Sequence, residues 1–331
     1  ANILNNEEIA MNNKIWAFLI HLGTNCWMQK GAVADFPRPE EGFLFRDEMF
    51  CDKETWRKVV DFLPSRGINT LLIDVADGVC YDRHPEISIP GAWTKAELRA
   101  ELDRLRSMGI TPIPKCNFSS GHNAWLKEYA FMIGTPKHYE VCKDVIEELI
   151  ELFDTPPFFH LGLEEEEYEA IKGQPIAIIR APWKKAEDAK FLFDVCRAHG
   201  VRPWIWAGDR DVMGFGGDEA FRKNVGTDVL LSNYFYHQLR CNDDAVNRYP
   251  FAEYCVKFAE WGYEQVPTGS TWTWHANNKD VMRFCKNYVD DNSLAGFMTA
   301  SWLMTIEKKY YALLADAENF AYARRDIYGD F

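Results

Sequence analysis

The sequence predicts an α/β fold built as a single (β/α)8 TIM barrel, and three observations carry that prediction. Eight short apolar runs alternate with amphipathic helical stretches along 331 residues, a length that one barrel fills. A helix, a Gly and a short apolar strand follow one another at Gly67, Gly109, Gly200 and Gly262, a weak internal repeat of a βα unit. Polar and aromatic residues follow the carboxyl ends of the strands, the face on which barrels build their sites. An open doubly wound sheet is the alternative, but no Gly-rich dinucleotide loop follows any strand.

Residues 1–13 are polar and are expected to form a flexible tail ahead of a barrel over 14–331. Ile15 to Leu22 is the first strand candidate, and a loop with Pro37, Pro39 and Gly42 follows. Asp52 can cap a helix whose apolar face is Trp56, Val59, Val60 and Leu63. Thr70 to Val75 is the second strand. Thr94 and Glu97 have the spacing of a capping box, ahead of Leu98, Leu102 and Leu105. Ile110 to Cys116 is the third strand. Thr135 and Pro136 suit the cap and first turn of the next helix. Phe158 to Leu163 is the fourth strand. Pro175 to Arg180 reads as part of a long loop, and Ala186 to His199 as a helix. Pro203 to Trp206, Val229 to Asn233, Tyr263 to Thr268 and Ala295 to Ala300 supply strands five to eight. Helices over Phe251–Trp261, Asp280–Val289 and Lys308–Arg324 fill the remainder.

Composition narrows the partners. The formal charge of −13 argues against nucleic acid, whose binding rests on Lys and Arg. No apolar stretch is long enough to predict membrane insertion. The 9 Cys are scattered without a Cys-x-x-Cys spacing and read as small buried residues, not as a metal site or disulfide framework. Aromatic content of 15%, with 12 Trp, is high enough to wall a sugar-sized pocket as well as to pack a core. The chain starts at Ala1, so a removed signal peptide would make it periplasmic or secreted, and a cytoplasmic place is the alternative. The oligomeric state is left open.

The most informative stretch is Phe158-Phe159-His160-Leu161-Gly162-Leu163-Glu164-Glu165, an apolar strand that ends in adjacent acids. Like charges placed together disfavour ionisation, and one raised pKa suits a proton donor. Glu166 and Glu167 read instead as solvated acids at a helix start. Strand alternation turns His160 to the same side as Gly162 and Glu164, where a supporting hydrogen bond or a core role are the two readings. Other strand ends bring Asp74, Asp77, Asn117, His122, Asp209, Tyr234 and Tyr236 as polar candidates for holding a ligand. Trp206, Trp272, Trp274 and Trp302 are candidates for its walls.

These motifs resemble, in order, the catalytic barrel of family 20 glycoside hydrolases, the β-N-acetylhexosaminidases. His160-Leu161-Gly162-Leu163-Glu164-Glu165 stands where that family has His-x-Gly-Gly-Asp-Glu. Ile110 to Lys115, then Ser120-Gly121-His122, is similar to its third strand and Pro-Gly-His. Trp206-Ala207-Gly208-Asp209 resembles its Trp-Asp-Asp, and Gly296 to Trp302 its eighth strand. The chain departs from the pattern at Leu22-Gly23-Thr24-Asn25, where the family has an Arg, at Lys115 for an acid, at Leu163 for Gly and at Glu164 for Asp. The resemblance implies a carbohydrate substrate, no cofactor and no metal, Glu165 as general acid/base, and Glu164 orienting an acetamido group that itself attacks the anomeric carbon.

Two other readings stand beside it. A metal-dependent sugar isomerase or epimerase could use Glu165, Asp209 and His237 as ligands. A non-catalytic carbohydrate-binding barrel is the third. The large two-glutamate group of retaining barrels needs a Glu at the end of strand seven, where Val266-Pro267-Thr268 stands.

Overall fold

The computed structural model describes residues 14–32 and 43–329; the expected tail and the Pro37–Gly42 loop lie outside the described residues. Eight parallel strands form one sheet: β1 (Ile15–His21), β2 (Thr70–Asp74), β3 (Thr111–Lys115), β4 (Phe158–His160), β5 (Arg202–Trp206), β6 (Leu230–Ser232), β7 (Thr268–Gly269) and β8 (Gly296–Ala300). Ladders run β6-β5-β4-β3-β2-β1-β8-β7. Isolated parallel bridges, Leu231 to Gln265 and Tyr234 to Thr268, join the two ends of the list. The result is a (β/α)8 barrel whose β6–β7 seam is closed by bridges instead of a ladder. Strand seven was expected over Tyr263–Thr268 and is only two residues long. Pro267 explains part of this, because it brings no N–H to a ladder.

The helices obey the local signals. Helix α1 (Lys53–Phe62) starts where Asp52 accepts from the Glu54 and Thr55 amides. Helix α2 (Lys95–Ser107) carries the full Thr94–Glu97 capping box. Helix α3 (Pro136–Leu152) is capped by Thr135. After β4 come the short α4 (Tyr168–Ile171) and the long α5 (Pro182–Ala198), which begins earlier than its apolar pattern indicated because Pro182 serves as first-turn residue. Then follow α6 (Asp209–Gly214), α7 (Asp218–Asn224), α8 (Ala245–Arg248), α9 (Pro250–Glu260), α10 (Asn277–Tyr288) and α11 (Tyr310–Tyr328). The repeated helix-ending glycines Gly67, Gly109, Gly200 and Gly262 all have positive φ, between 69° and 81°, the conformation that lets the chain turn from helix to strand.

Strand alternation divides the core. One set of buried residues, including Trp56, Val59, Leu71, Ile73, Leu102 and Phe159, packs sheet against helices. The other set fills the barrel: Ala17, Leu19, Leu72, Ile113, Trp204, Leu230 and Met298. Above that apolar plug the inward residues turn polar. His21 pairs in register with Asp74, Asp74 with Lys115, and Lys115 with His160, each the last residue of its strand. Four consecutive strands therefore end in one polar row across the barrel, with the Asp74–Lys115 pair at its centre. Among the described residues, no helix is long and apolar enough to cross a membrane.

Removing the α1 cap tests the local signals alone. Asp52→Ala should lower unfolding free energy by about 1 kcal/mol, read as a lower denaturant midpoint with unchanged slope.

Candidate active site

Beyond His160 the chain keeps its place in the barrel without regular strand geometry. The Leu161 amide donates to the Trp204 carbonyl at 2.8 Å, and the Gly162 carbonyl accepts from the Trp206 amide at 3.1 Å. Gly162, Leu163 and Glu165 then adopt left-handed φ values of 72°, 76° and 53°. That conformation is unfavourable for Leu and Glu and persists only where neighbours over-determine it. Asn117 is one such neighbour. Its Oδ1 accepts from Ser119 N (3.1 Å) and Leu163 N (3.3 Å), and its Nδ2 donates to Glu164 Oε1 at 2.6 Å. A Cβ on Gly162 would lie 2.1 Å from that Asn117 oxygen, so only Gly fits. Gly121 plays a similar part, since its Cβ would sit 2.5 Å from the Glu165 carbonyl oxygen.

The two acids differ in environment. Glu164 is 6% exposed, and its Oε2 is buried without a partner among the described residues. Burial pushes its pKa up, and the charge of Glu165 adds to this against His122 and Lys115. The Glu165 side chain is 37% exposed and meets His122 Nε2 at 3.0 Å. Burial also pushes Glu165 up, but the hydrogen bond and charge of His122, with the charge of Arg210, outweigh it and hold Glu165 below the usual range. His122 moves the opposite way. Its burial is overcome by Glu165 and Glu164, so it keeps its proton above the ordinary imidazole value.

Both acids open into a cavity of about 450 Å³. Its aromatic wall is a closed chain of ring contacts. Trp206 meets Trp302 (centroids 5.9 Å apart), Trp302 meets Trp27 (6.3 Å), and Trp27 meets Phe43 (4.9 Å). Phe43 meets Trp272 (6.4 Å), Trp272 meets Tyr236 (6.2 Å), Tyr236 meets Tyr234 (5.8 Å), and Tyr234 returns to Trp206 (5.7 Å). The rest of the lining includes Gly121, His122, Arg210 and the segment from Glu169 to Gln174. Gln174 ties that segment down by donating to the Trp27 carbonyl (2.6 Å) and accepting from the Gln29 amide (2.8 Å).

Of the residues expected at a site, Glu164, Glu165, His122, Trp206, Tyr234, Tyr236, Trp272 and Trp302 share this lining. Asn117 sits behind it as the Glu164 clamp. His160 lies below: its Nδ1 accepts from the Gly162 amide at 3.2 Å, its ring packs on Trp204 and Trp206, and burial, with the charge of Lys115, keeps it neutral. Asp74 is beneath the cavity, bound to Lys115 Nζ at 2.7 Å with His21 Nδ1 at 3.3 Å. Burial opposes its charge, but Lys115 and His21 hold its pKa well below the usual carboxylate range. Asp77 holds the turn after β1, accepting from the Thr24 amide (2.9 Å) and the Asn25 side-chain Nδ2 (2.7 Å). Asp209 begins α6 outside the lining, and Trp274 is turned to Asp280, its Nε1 donating at 3.1 Å. The cation set weighed from sequence does not assemble: no three His, Cys, Asp or Glu side chains gather as metal ligands among the described residues.

Sequence reading missed several parts. Trp27 and Phe43 line the cavity from loops, where periodicity gives no signal, and Arg210 lines it from the short helix α6. Glu166 is not a solvated acid. It is buried, receives the Ser120 amide at 2.9 Å, and is gripped by Arg180, which also holds Asp188 at 3.1 Å. Glu167 does stay near the surface, opposite Arg210 at 3.1 Å. The buried Arg180 at the end of an apolar loop was the available clue.

No family model matches the chain, and no curated protein matches its sequence. Solved structures do match. A chitobiase from Flavobacterium johnsoniae superposes with a TM-score of 0.62 at 14% identity, over 83% of this chain and 46% of that one. This chain thus spans less than half of that enzyme. A catalytic module of the pneumococcal exo-β-D-N-acetylglucosaminidase StrH gives 0.63 at 14% identity, over 96% and 85%. A family 138 glycoside hydrolase targeting pectin rhamnogalacturonan II gives 0.57 at 13%, over 96% and 40%. The fold is a (β/α)8 barrel of the kind that family 20 β-N-acetylglucosaminidases carry. The order of motifs resembling that family, read from the sequence, thus falls on a barrel of matching architecture.

The Lys115–Asp74 pair under the cavity makes a stability test. Lys115→Met leaves Asp74 buried with His21 alone and should cost about 3–5 kcal/mol at neutral pH by denaturant unfolding. In the native chain the depressed Asp74 pKa gives stability above the unfolded carboxylate value, lost as pH falls. The penalty of the substitution should therefore shrink as pH drops through the carboxylate range, because the unpaired Asp74 can then protonate.

Proposed function

We propose that the chain is a glycoside hydrolase acting on a small glycoside or oligosaccharide, with an N-acetylhexosaminide as the sugar the family resemblance favours. One observation carries the reading: two adjacent carboxyls, one sequestered and one open, face a single cavity ringed by seven aromatic side chains. The cavity volume, about 450 Å³, suits a small ligand such as a sugar with part of its aglycone, and aromatic faces pack well on the apolar faces of sugars. The named likenesses to chitobiase and StrH support the same class.

In this reading Glu165 delivers a proton to the leaving glycosidic oxygen and afterwards takes one from water. The proton resides in the Glu165–His122 pair, mainly on the imidazole, and passes to the carboxyl as the bond lengthens. On binding, a rotation of the Glu164 carboxylate offers its buried, unpartnered Oε2 to the substrate, where an acetamido N–H supplies the missing donor. The acetamido oxygen then attacks the anomeric carbon, the leaving group departs with the Glu165 proton, and water opens the cyclic intermediate. Tyr234, Tyr236 and the indoles hold the sugar in place. The upward push on Glu164 favours a second assignment, in which Glu164 is the proton donor.

Leaving-group dependence separates the two. Replacing the general acid should reduce turnover of an alkyl or sugar leaving group by about 10²–10⁴-fold and that of a dinitrophenyl glycoside far less. We expect this pattern from Glu165→Gln, and comparable losses on both substrates from Glu164→Gln. The opposite pattern supports the second assignment. A broad panel of glycosides left intact by the native chain would remove the hydrolase reading altogether.

The pair also sets the pH profile. Its one-proton form is active, so kcat/KM should fall on the acid side below the ordinary carboxylate range and on the alkaline side above the ordinary imidazole value. In His122→Asn the proton has only Glu165 to reside on, and the alkaline limb should move down into the carboxylate range.

A further inference from the structure

We propose that Asp211 is a positioning residue, which fixes the direction of the Glu165 side chain by binding the Glu165 backbone amide across the gap between the β4 and β5 loops. This rests on the assignment of Glu165 to proton transfer. Asp211 lies in the first turn of α6 and is 1% exposed. Its Oδ1 accepts from the Glu165 amide at 3.2 Å and its Oδ2 from the Gly208 amide at 2.8 Å. One carboxylate thus joins the segment that bears the acid to the segment that follows Trp206.

Nothing local favours the Glu165 conformation. Its φ of 53° is left-handed and it has a Cβ, so the orientation has to be imposed from outside. Asn117 fixes the preceding residues, and Gly121 lets the His122 loop approach the Glu165 carbonyl. Asp211 supplies the remaining tie, on the amide.

The residue type follows from the same geometry. Two amide donors arrive at two oxygens, and only a carboxylate offers an acceptor at both places. An Asn in the same position would turn its amide hydrogens towards one of the two N–H groups. The site is also costly for an acid. Burial, with the charges of Glu164 and Glu165 from the β4 loop, pushes the Asp211 carboxyl up, opposed by Lys185 from α5 and by the hydrogen bond from the Glu165 amide. Lys185 is itself buried, with its Nζ 3.6 Å from Glu166. A carboxyl kept where two others repel it is there for its acceptors.

The test combines kinetics with the titration of His122, followed by ¹⁵N NMR on the full chain. His122 is 3.0 Å from Glu165, 4.0 Å from Glu164 and under the field of Lys115, so its midpoint reports where the Glu165 carboxylate is held. In Asp211→Asn the Glu165 carboxylate should swing away from the imidazole. We expect the His122 midpoint to fall towards its ordinary value, with kcat down about 10- to 100-fold and KM within about twofold of native. A folded Asp211→Asn chain whose His122 curve overlays the native one overturns the proposal, whatever its kcat. If Asp211→Asn does not fold, hydrogen exchange of the native Glu165 amide decides: strong protection supports the tie, and exchange at the rate of an open loop overturns it. If the native chain cleaves no glycoside, the hydrolase reading fails while the His122 titration still decides the role of Asp211.

Discussion

The candidate site depends on one steric constraint, the contact between Gly162 and the Asn117 side chain. Strand β4 ends two residues earlier, and the chain has to bend so that both following acids reach the barrel mouth. Asn117 occupies the space that any Cβ at position 162 would need, and from there it meets Leu163 and Glu164 together. An ordinary strand continuation would alternate its side chains, and adjacent acids would face opposite sides. The left-handed turn abolishes that alternation, so Glu164 and Glu165 share one cavity with different exposure.

Beneath that turn the barrel carries charge where most barrels carry Val, Ile or Leu. The row His21, Asp74, Lys115 and His160 closes the top of the apolar plug. A buried ion pair of this kind contributes little net stability compared with apolar packing, because desolvation consumes most of the Coulomb gain. Its effect on the site is electrostatic. Lys115 offsets part of the upward push of burial on Glu164 and adds to the downward push of burial on His160. Glu166 with Arg180, Lys185 and Asp188 forms a second buried network on the flank.

Much of the architecture was legible because it rests on local chemistry. Asp52, the Thr94–Glu97 box, Thr135–Pro136 and the positive-φ glycines mark helix boundaries through hydrogen bonds a few residues long. The acids after β4 were visible for the same reason. What the sequence concealed was partnership over long distance. Nothing near Asp74 announces that Lys115, 41 residues on, will claim it, or that Arg180 will draw Glu166 out of water. Asp209 and Asp211 are equally placed in a linear reading. Only the turn of α6 sends the second inward and leaves the first at the rim. Trp27 and Phe43 sit in irregular chain, where no period ties a side chain to a face.

The sparse pairing between β6 and β7 has a consequence for the aromatic collar. Tyr234 and Tyr236 hang from one side of that seam and Trp272 from the other, joined across it by bridges instead of a ladder. The junction of β3 and β4 is sparse as well, with Lys115 and His160 as its one paired position in register. Backbone hydrogen bonds from the amides of Leu231, Phe235, Val266 and Thr268 still cross the seam, so the two tyrosines and the indole facing them owe their spacing to a few main-chain contacts instead of a regular ladder.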